Sequence, residues 1–185
     1  RLEDLTRLED TADEVRSIAA SVGADPETDI FLGVQASESR VKSLDLSDRR
    51  IIVFATHALV PKDLDGLTQP ALALSSPQIT GESGDGLLTM QEIFGLKLNA
   101  DWVVLSACNT GASDGAGAEA VSGLGRAFFY AGSRALLVSM WPVETTSAKK
   151  ITTGIFRFQK EIPELSRANA LRKSILHLID KQVLK

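Results

Sequence analysis

The chain has 185 residues, 44% of them hydrophobic and 24% charged, a composition that fits one globular domain with room for a substantial core. Twenty Lys and Arg against 24 Asp and Glu leave a net charge of −4, which gives no general electrostatic hold on nucleic acid and argues against a direct role on DNA or RNA. The apolar runs fall well short of the roughly 18 residues needed to cross a bilayer, Arg1–Asp10 is too charged for a signal peptide, and a lone cysteine forms no internal disulfide, so a cytoplasmic protein with no membrane partner is expected.

The tetrapeptide Arg-Leu-Glu-Asp stands at residues 1–4 and again at 7–10, too short a duplication for a structural repeat. Residues 1–10 read as a linker or the end of an upstream region, and a start at Arg1 reads as a piece of a longer protein. Residues 11–185 form the domain. Thr11-Ala12-Asp13-Glu14 fits a capping box that opens a helix, with Gly23 closing it. Asp29–Gly33 is expected as a first strand and Ala36–Leu44 as a short helix. Ile51–Thr56 is an apolar, β-branched run of the kind that forms a buried strand. Residues 58–70 and 75–86, rich in Pro, Gly, Asp and Ser, read as loops around a short strand at Ala71–Leu74. Thr89 can cap a helix to Phe94. Trp102–Ala107 is the second apolar run, followed by a glycine-rich loop over Asn109–Gly117 that matches no phosphate-binding pattern. A helix over Ala118–Ala131, a strand over Ala135–Ser139 and helices near Ser147–Glu161 and Ser166–Lys181 complete the chain. Strands alternating with helices predict an α/β fold with a mostly parallel sheet.

The two apolar runs deliver chemically useful residues. The first ends at His57 and the second at Cys108, the chain's only cysteine, and the chain has just two histidines. In open α/β sheets the functional crevice lies beyond the carboxyl ends of the strands, so both side chains are expected at one edge. A thiol beside an imidazole is a nucleophile with its base. At neutral pH only a few per cent of an ordinary thiol is ionised, and His57 could take the proton and hold the thiolate. The backbone N–H groups of Ala58 and Cys108, each where a strand breaks into a loop, are the candidate oxyanion donors. No third group that orients the imidazole can be assigned. Thr56 and Asp101 are near in sequence, but neighbours along a strand face opposite ways. His177 lies off the apolar stripe of Leu171, Ile175 and Leu178 and is expected to face solvent.

His57 precedes Cys108 by 51 residues, the order and spacing found in caspases, although Ser106-Ala107-Cys108-Asn109-Thr110-Gly111 is not the caspase nucleophile signature. Phe54-Ala55-Thr56-His57, Asp85-Gly86-Leu87-Leu88-Thr89, Val104–Gly111, Gly123-Leu124-Gly125-Arg126-Ala127-Phe128 and Ser139-Met140-Trp141-Pro142-Val143 together resemble the CHAT domains, caspase-like bacterial modules often joined to tetratricopeptide repeats. The resemblance spans roughly residues 8–180. It implies a caspase-like three-layer sandwich, a mostly parallel central sheet with helices on both faces, lacking the final strand that the family tends to have.

The resemblance further implies a cysteine endopeptidase with Cys108 as nucleophile and His57 as general base, needing no cofactor and no metal. A protein or peptide is the implied substrate, and a tetratricopeptide-repeat region or a regulatory protein is the implied partner that gates activity. In related peptidases the strand after the Cys block lines the substrate cleft, which nominates Ser139, Met140 and Trp141; Asp85 and Glu144 are candidate acids for a basic substrate side chain. The family usually has Gly after the His where this chain has Ala58. The alternative function is a catalytically weak pseudo-peptidase that keeps the fold as an interaction module. A nucleotide-binding or small-molecule α/β enzyme is disfavoured by the missing phosphate motif.

Overall fold

The computed structural model describes residues 1–106, 116–139 and 144–180. The chain forms two compact units, Arg1–Arg7 with Leu32–Pro142, and Leu8–Phe31 with Val143–Lys185. The fold is mixed α/β. In the first unit a parallel sheet is built from β1 (Ile51–Ala55), β5 (Trp102–Ser106) and β6 (Leu136–Val138), with β5 in the middle. The register sets Ile51 against Trp102 and Ala55 against Ser106, and Val103 against Leu136. All five residues of β5 are buried, as expected for a strand covered on both faces.

Period-two alternation puts Ile52, Phe54, Val103, Leu105, Leu136 and Val138 on one face. There they join Leu124, Ala127, Phe128 and Ala131 of α6 (Ala116–Ala131) in a single core cluster. Phe128 is fully buried, its ring tilted against Phe54 at 5.6 Å between centroids; sequestering one such side chain contributes about 1.5–3 kcal/mol. The glycine-containing stretch after the Cys block has a packing role. A Cβ on Gly125 would stand 2.9 Å from Leu136 Cδ2, and one on Gly123 would stand 3.3 Å from Met90 Sδ, so the missing side chains let α6 lie close to its neighbours.

The second sheet is antiparallel, in the order β2 (Ala58–Leu59), β3 (Ala71–Ala73), β4 (Leu87–Thr89). Ala58, Leu72 and Leu88 turn toward the main core. Leu59, Ala71 and Ala73 turn the other way, where Leu67 joins them and Leu2, Leu5, Leu64 and Leu87 pack against the cluster. The small sheet is thus covered on one side by the domain core and on the other by residues that include the amino-terminal segment.

Thr89 caps α5 (Met90–Phe94) through a full capping box with Glu92, as its sequence position suggested. Glu92 also reaches Lys42 Nζ at 2.8 Å, and the same ammonium meets Glu38 at 2.9 Å, Glu38 and Lys42 both lying on α3 (Glu38–Ser43). Burial opposes ionisation of Glu92, but the hydrogen bonds from Lys42 and from the Thr89 N–H and hydroxyl outweigh it and hold the carboxyl at about 2. A carboxyl depressed in the folded state stabilises above its ordinary value of 4.5, and this contribution is lost as pH falls toward 2. Glu92→Gln is therefore expected to cost about 1 kcal/mol at neutral pH, with the gap to the parent closing below about pH 4; urea unfolding across a pH series measures it.

In the second unit α7 (Thr145–Glu161) packs on α1 (Thr11–Val22) and α8 (Arg167–Asp180). Gly154 is the close point between α7 and α8. A Cβ there would collide with Ser174 Oγ, which donates to Ile151 O at 2.8 Å. Lys160 Nζ donates to Ala20 O at 3.1 Å and ties α7 to α1. Among the described residues no helix is long and apolar enough to cross a membrane.

Several local expectations are corrected. Asp29–Gly33 is not a strand. Asp25 caps a short helix, α2 (Pro26–Asp29), with Pro26 pre-set for its first turn, and a 3-10 turn occupies Gly33–Gln35. The Thr11 capping box does not form. Asp10 is the N-cap residue without a side-chain cap, its carboxylate taken by Lys149 at 3.1 Å, while Thr11 Oγ1 donates to Leu8 O. The loop spans read at 58–70 and 75–86 contain β2 and a short helix, α4 (Pro77–Thr80), and β4 was not foreseen. His177 is half-buried rather than solvent-facing, its ring edge-on to Phe158 at 5.7 Å. The loop expected at Asn109–Gly117 lies mostly outside the described residues.

Candidate active site

His57 sits where the chain leaves the parallel sheet and enters the antiparallel one, between Ala55 of β1 and Ala58 of β2. Its ring Nε2 lies 2.7 Å from the backbone carbonyl oxygen of Thr6. A carbonyl can only accept, so Nε2 is the donor and, in the neutral ring, Nδ1 keeps the lone pair. The bond orients the imidazole and selects its tautomer. This is the orienting group that sequence reasoning could not assign. The two near neighbours considered for that role are engaged elsewhere: Thr56 Oγ1 donates to Ala73 O at 2.5 Å, and Asp101 accepts from Arg50 Nη2 at 2.6 Å and Arg134 Nη1 at 3.1 Å.

Ala58 is buried, with 1% of its surface exposed. Ala73 N–H donates to His57 O at 2.9 Å, and Ala58 faces Leu72 in the ladder. In an antiparallel pair hydrogen-bonded and non-hydrogen-bonded positions alternate. Ala58 and Leu72 are thus a non-hydrogen-bonded pair, and since β2 is an edge strand, the Ala58 N–H is aimed away from β3 toward the open edge of the sheet. An edge donor next to an oriented imidazole is where an oxyanion donor belongs.

Asp85 lies on the turn before β4, at the same end of the small sheet: Leu87 is the register partner of Ala73, whose N–H bonds His57 O. The turn is organised by Glu38, a residue the sequence did not single out. Glu38 is only 8% exposed, and its Oε2 accepts from the N–H groups of Asp85 at 3.2 Å and Gly86 at 3.1 Å. The Asp85 carboxylate is exposed and accepts from Leu87 N–H at 2.9 Å, leaving its second oxygen for a cationic group. Ser139 follows β6 directly, one position beyond Val138, the partner of Leu105, and is half-buried.

Glu144 belongs to the second unit and is the N-cap of α7. Its two oxygens accept from the N–H groups of Thr146 at 2.9 Å and Ser147 at 2.8 Å and from Ser147 Oγ at 2.7 Å. The Ser147 hydroxyl foremost, with the Thr146 side chain and the backbone donors, holds its carboxyl at about 2. That carboxylate serves its own helix. Cys108, Met140 and Trp141 lie outside the described residues. Among the described residues no group of three His, Cys, Asp or Glu is arranged to hold a metal ion.

Compared with known families, the chain matches the one described as CHAT domain over residues 3–184. No curated protein matches the chain.

Proposed function

The chain belongs to the CHAT domain family, a caspase-like, peptidase-related family, and on that premise we propose that it is a cysteine endopeptidase working through Cys108 and His57. One observation carries the reading. β1 and β5 are adjacent parallel strands with Ala55 opposite Ser106, and His57 and Cys108 each follow two residues later. Two peptide links reach at most about 7 Å, and that short tether supports reading His57 and Cys108 as a pair.

The chemistry follows from those positions. His57 Nδ1 takes the Cys108 thiol proton while Thr6 holds the opposite ring nitrogen. The thiolate attacks the substrate carbonyl carbon, and the developing oxyanion accepts from the N–H groups of Ala58 and Cys108. The imidazolium then protonates the departing amine, leaving a thioester. Water, deprotonated by His57, hydrolyses it and regenerates the thiol. Asp85, Ser139, Met140 and Trp141 supply the substrate contacts, with a protein or peptide as substrate and a repeat region or regulatory protein as the gate. Glu144, already committed to capping α7, is the weakest of the candidate substrate acids.

Cleavage of a mixed synthetic peptide pool, followed by mass spectrometry, tests the activity: the parent chain is expected to cut and the Cys108→Ala chain to leave the pool intact. The oxyanion assignment has its own test. Proline removes the Ala58 N–H at an edge-strand position; its ring also enters a buried site and restrains His57 before it, so melting temperature and the His57 ring signals are read alongside the rate. Ala58→Pro is expected to lower kcat about 10²-fold to 10³-fold with little change in KM. Unchanged kcat would remove Ala58 from the mechanism.

A further inference from the structure

The amino-terminal segment touches the small sheet and the imidazole at once. Leu2 and Leu5 pack against the cluster of Leu59, Leu67, Ala71 and Ala73. Leu2 also fills the space above Gly86, where its Cδ2 stands 2.6 Å from the position a Cβ would take; with φ at +76° that position suits glycine. Glu3 Oε1 accepts from Ser76 Oγ at 3.1 Å. The residue after Leu5 is Thr6, whose carbonyl meets His57 Nε2. Three anchors therefore seat a strap whose last act is to hold the ring.

We propose that Leu2, Glu3 and Leu5 are positioning residues for His57: by seating Arg1–Arg7 on the small sheet they fix the imidazole tautomer, and lifting the segment disables the base. The inference rests on His57 being the base of the proposed peptidase. The anchoring is built to be reversible. Both leucines are only half-buried, and Glu3, Thr6 and Arg7 are exposed, the profile of a segment drawn from the low end of local stability. The thing controlled is sharply defined, because thiol activation needs a lone pair on the ring nitrogen facing the sulfur. With the strap in place the lone pair stays on Nδ1; without it, the ring is free to rotate and to exchange tautomers. A hydrogen bond of ordinary net strength shifts such a population by several-fold to about tenfold. A protein that captures Leu2 and Leu5 competes directly with catalysis, and one that clamps them down promotes it. Regulation would then need no movement of the parallel sheet.

The test uses the full chain with ¹⁵N-labelled histidine, recorded near pH 8.5 so that ordinary imidazoles are neutral. Two-bond ¹⁵N–¹H correlations report which ring nitrogen carries the proton, and His177 serves as the internal reference. In the parent, His57 is expected as a single Nε2–H tautomer. In Leu2→Ala/Leu5→Ala the His57 pattern becomes a mixture, His177 is unchanged, and kcat for peptide cleavage drops about five- to tenfold with KM held. Glu3→Ala, a change at an exposed position, shifts the mixture the same way by a smaller amount. An unmixed tautomer in both variants overturns the proposal. If no variant and no parent cleaves any peptide while the tautomer still shifts, the positioning role stands and the peptidase reading falls.

Discussion

Cys108→Ala is expected to reduce peptide hydrolysis by at least about 10³-fold and His57→Ala by nearly as much, with the double variant no worse than either alone, because residues that act as a unit lose function together. Stability is expected to fall only slightly. His57 contributes one hydrogen bond from a half-buried ring, and loss of an interaction of this kind is worth about 1 kcal/mol, which for a domain of this size moves the melting temperature by about 2–4 °C. Initial rates on the best peptide of the pool, with thermal melts of the same samples, give both answers. Substantial hydrolysis by the Cys108→Ala chain would remove the nucleophile from the account; a large fall in melting temperature for both variants would assign the pair a structural role.

The largest effect on stability is expected at Gly132. The residue follows α6 with φ at +115°, and a Cβ there would stand 2.1 Å from the carbonyl oxygen of Leu98. Neither problem has a cheap escape. The dihedral is one that L-residues avoid, costing about 1–3 kcal/mol, and the obstructing atom is backbone, pinned because Leu98 N–H donates to Ala131 O at 2.8 Å. Gly132→Ala is expected to cost about 3 kcal/mol or more and to lower the melting temperature by about 6–12 °C. Gly95→Ala makes a good control, since a Cβ there meets only Glu92 O at 3.3 Å and the backbone is ordinary helix. The consequence reaches the candidate site. Residues 98–100 lead straight into β5, the strand that precedes Cys108, and disturbing that entry shifts the register that pairs Ala55 with Ser106. Equal melting temperatures for the two variants would show that the 96–100 segment yields freely.

Much of this was legible in the residues because each signal is local and repeated. Ile51–Thr56 and Trp102–Ala107 read as buried strands from their β-branched and aromatic content; Ile51–Ala55 and Trp102–Ser106 are β1 and β5, side by side and parallel, with β5 buried throughout and β1 half-buried apart from Phe54. Thr89 announced a helix cap, and it caps α5, with Glu92 completing a box that the reading did not include. Gly23 announced a left-handed helix end, and its φ is +74°. The failures have physical reasons. Ile30 and Leu32 do adopt extended backbone, but α2 takes Asp29, a 3-10 turn takes Gly33, and among the described residues no neighbouring strand pairs with the stretch between them. Thr11 had the right neighbour for a capping box, yet Lys149, far away in sequence, holds the Asp10 carboxylate next to it. Two-residue β2 and three-residue β4 are too short for alternation to register.

At the candidate site the difference is between side chains and backbone. His57 and Cys108 stand out by residue type and by position after an apolar run. Thr6 does not, because its contribution is a carbonyl that every residue possesses. No composition or spacing marks it, and only the fold brings it to Nε2. Glu38 was invisible for a related reason. Its partners are the N–H groups of Asp85 and Gly86, almost fifty residues later, and a buried carboxylate that holds a turn looks in sequence like any helix glutamate.

Activation of the Cys108 thiol by His57, as proposed, has a direct readout: because the chain has no other cysteine, the rate of alkylation by iodoacetamide reports that sulfur alone. The rate is to be measured between pH 5.5 and 9 in the parent and in His57→Ala. At pH 6.5 the parent is expected to react at least about tenfold faster than the variant, and the variant to follow the steep rise of an ordinary thiol with a midpoint near 8.5. Superimposable profiles for the two chains, both rising like an ordinary thiol, would contradict it.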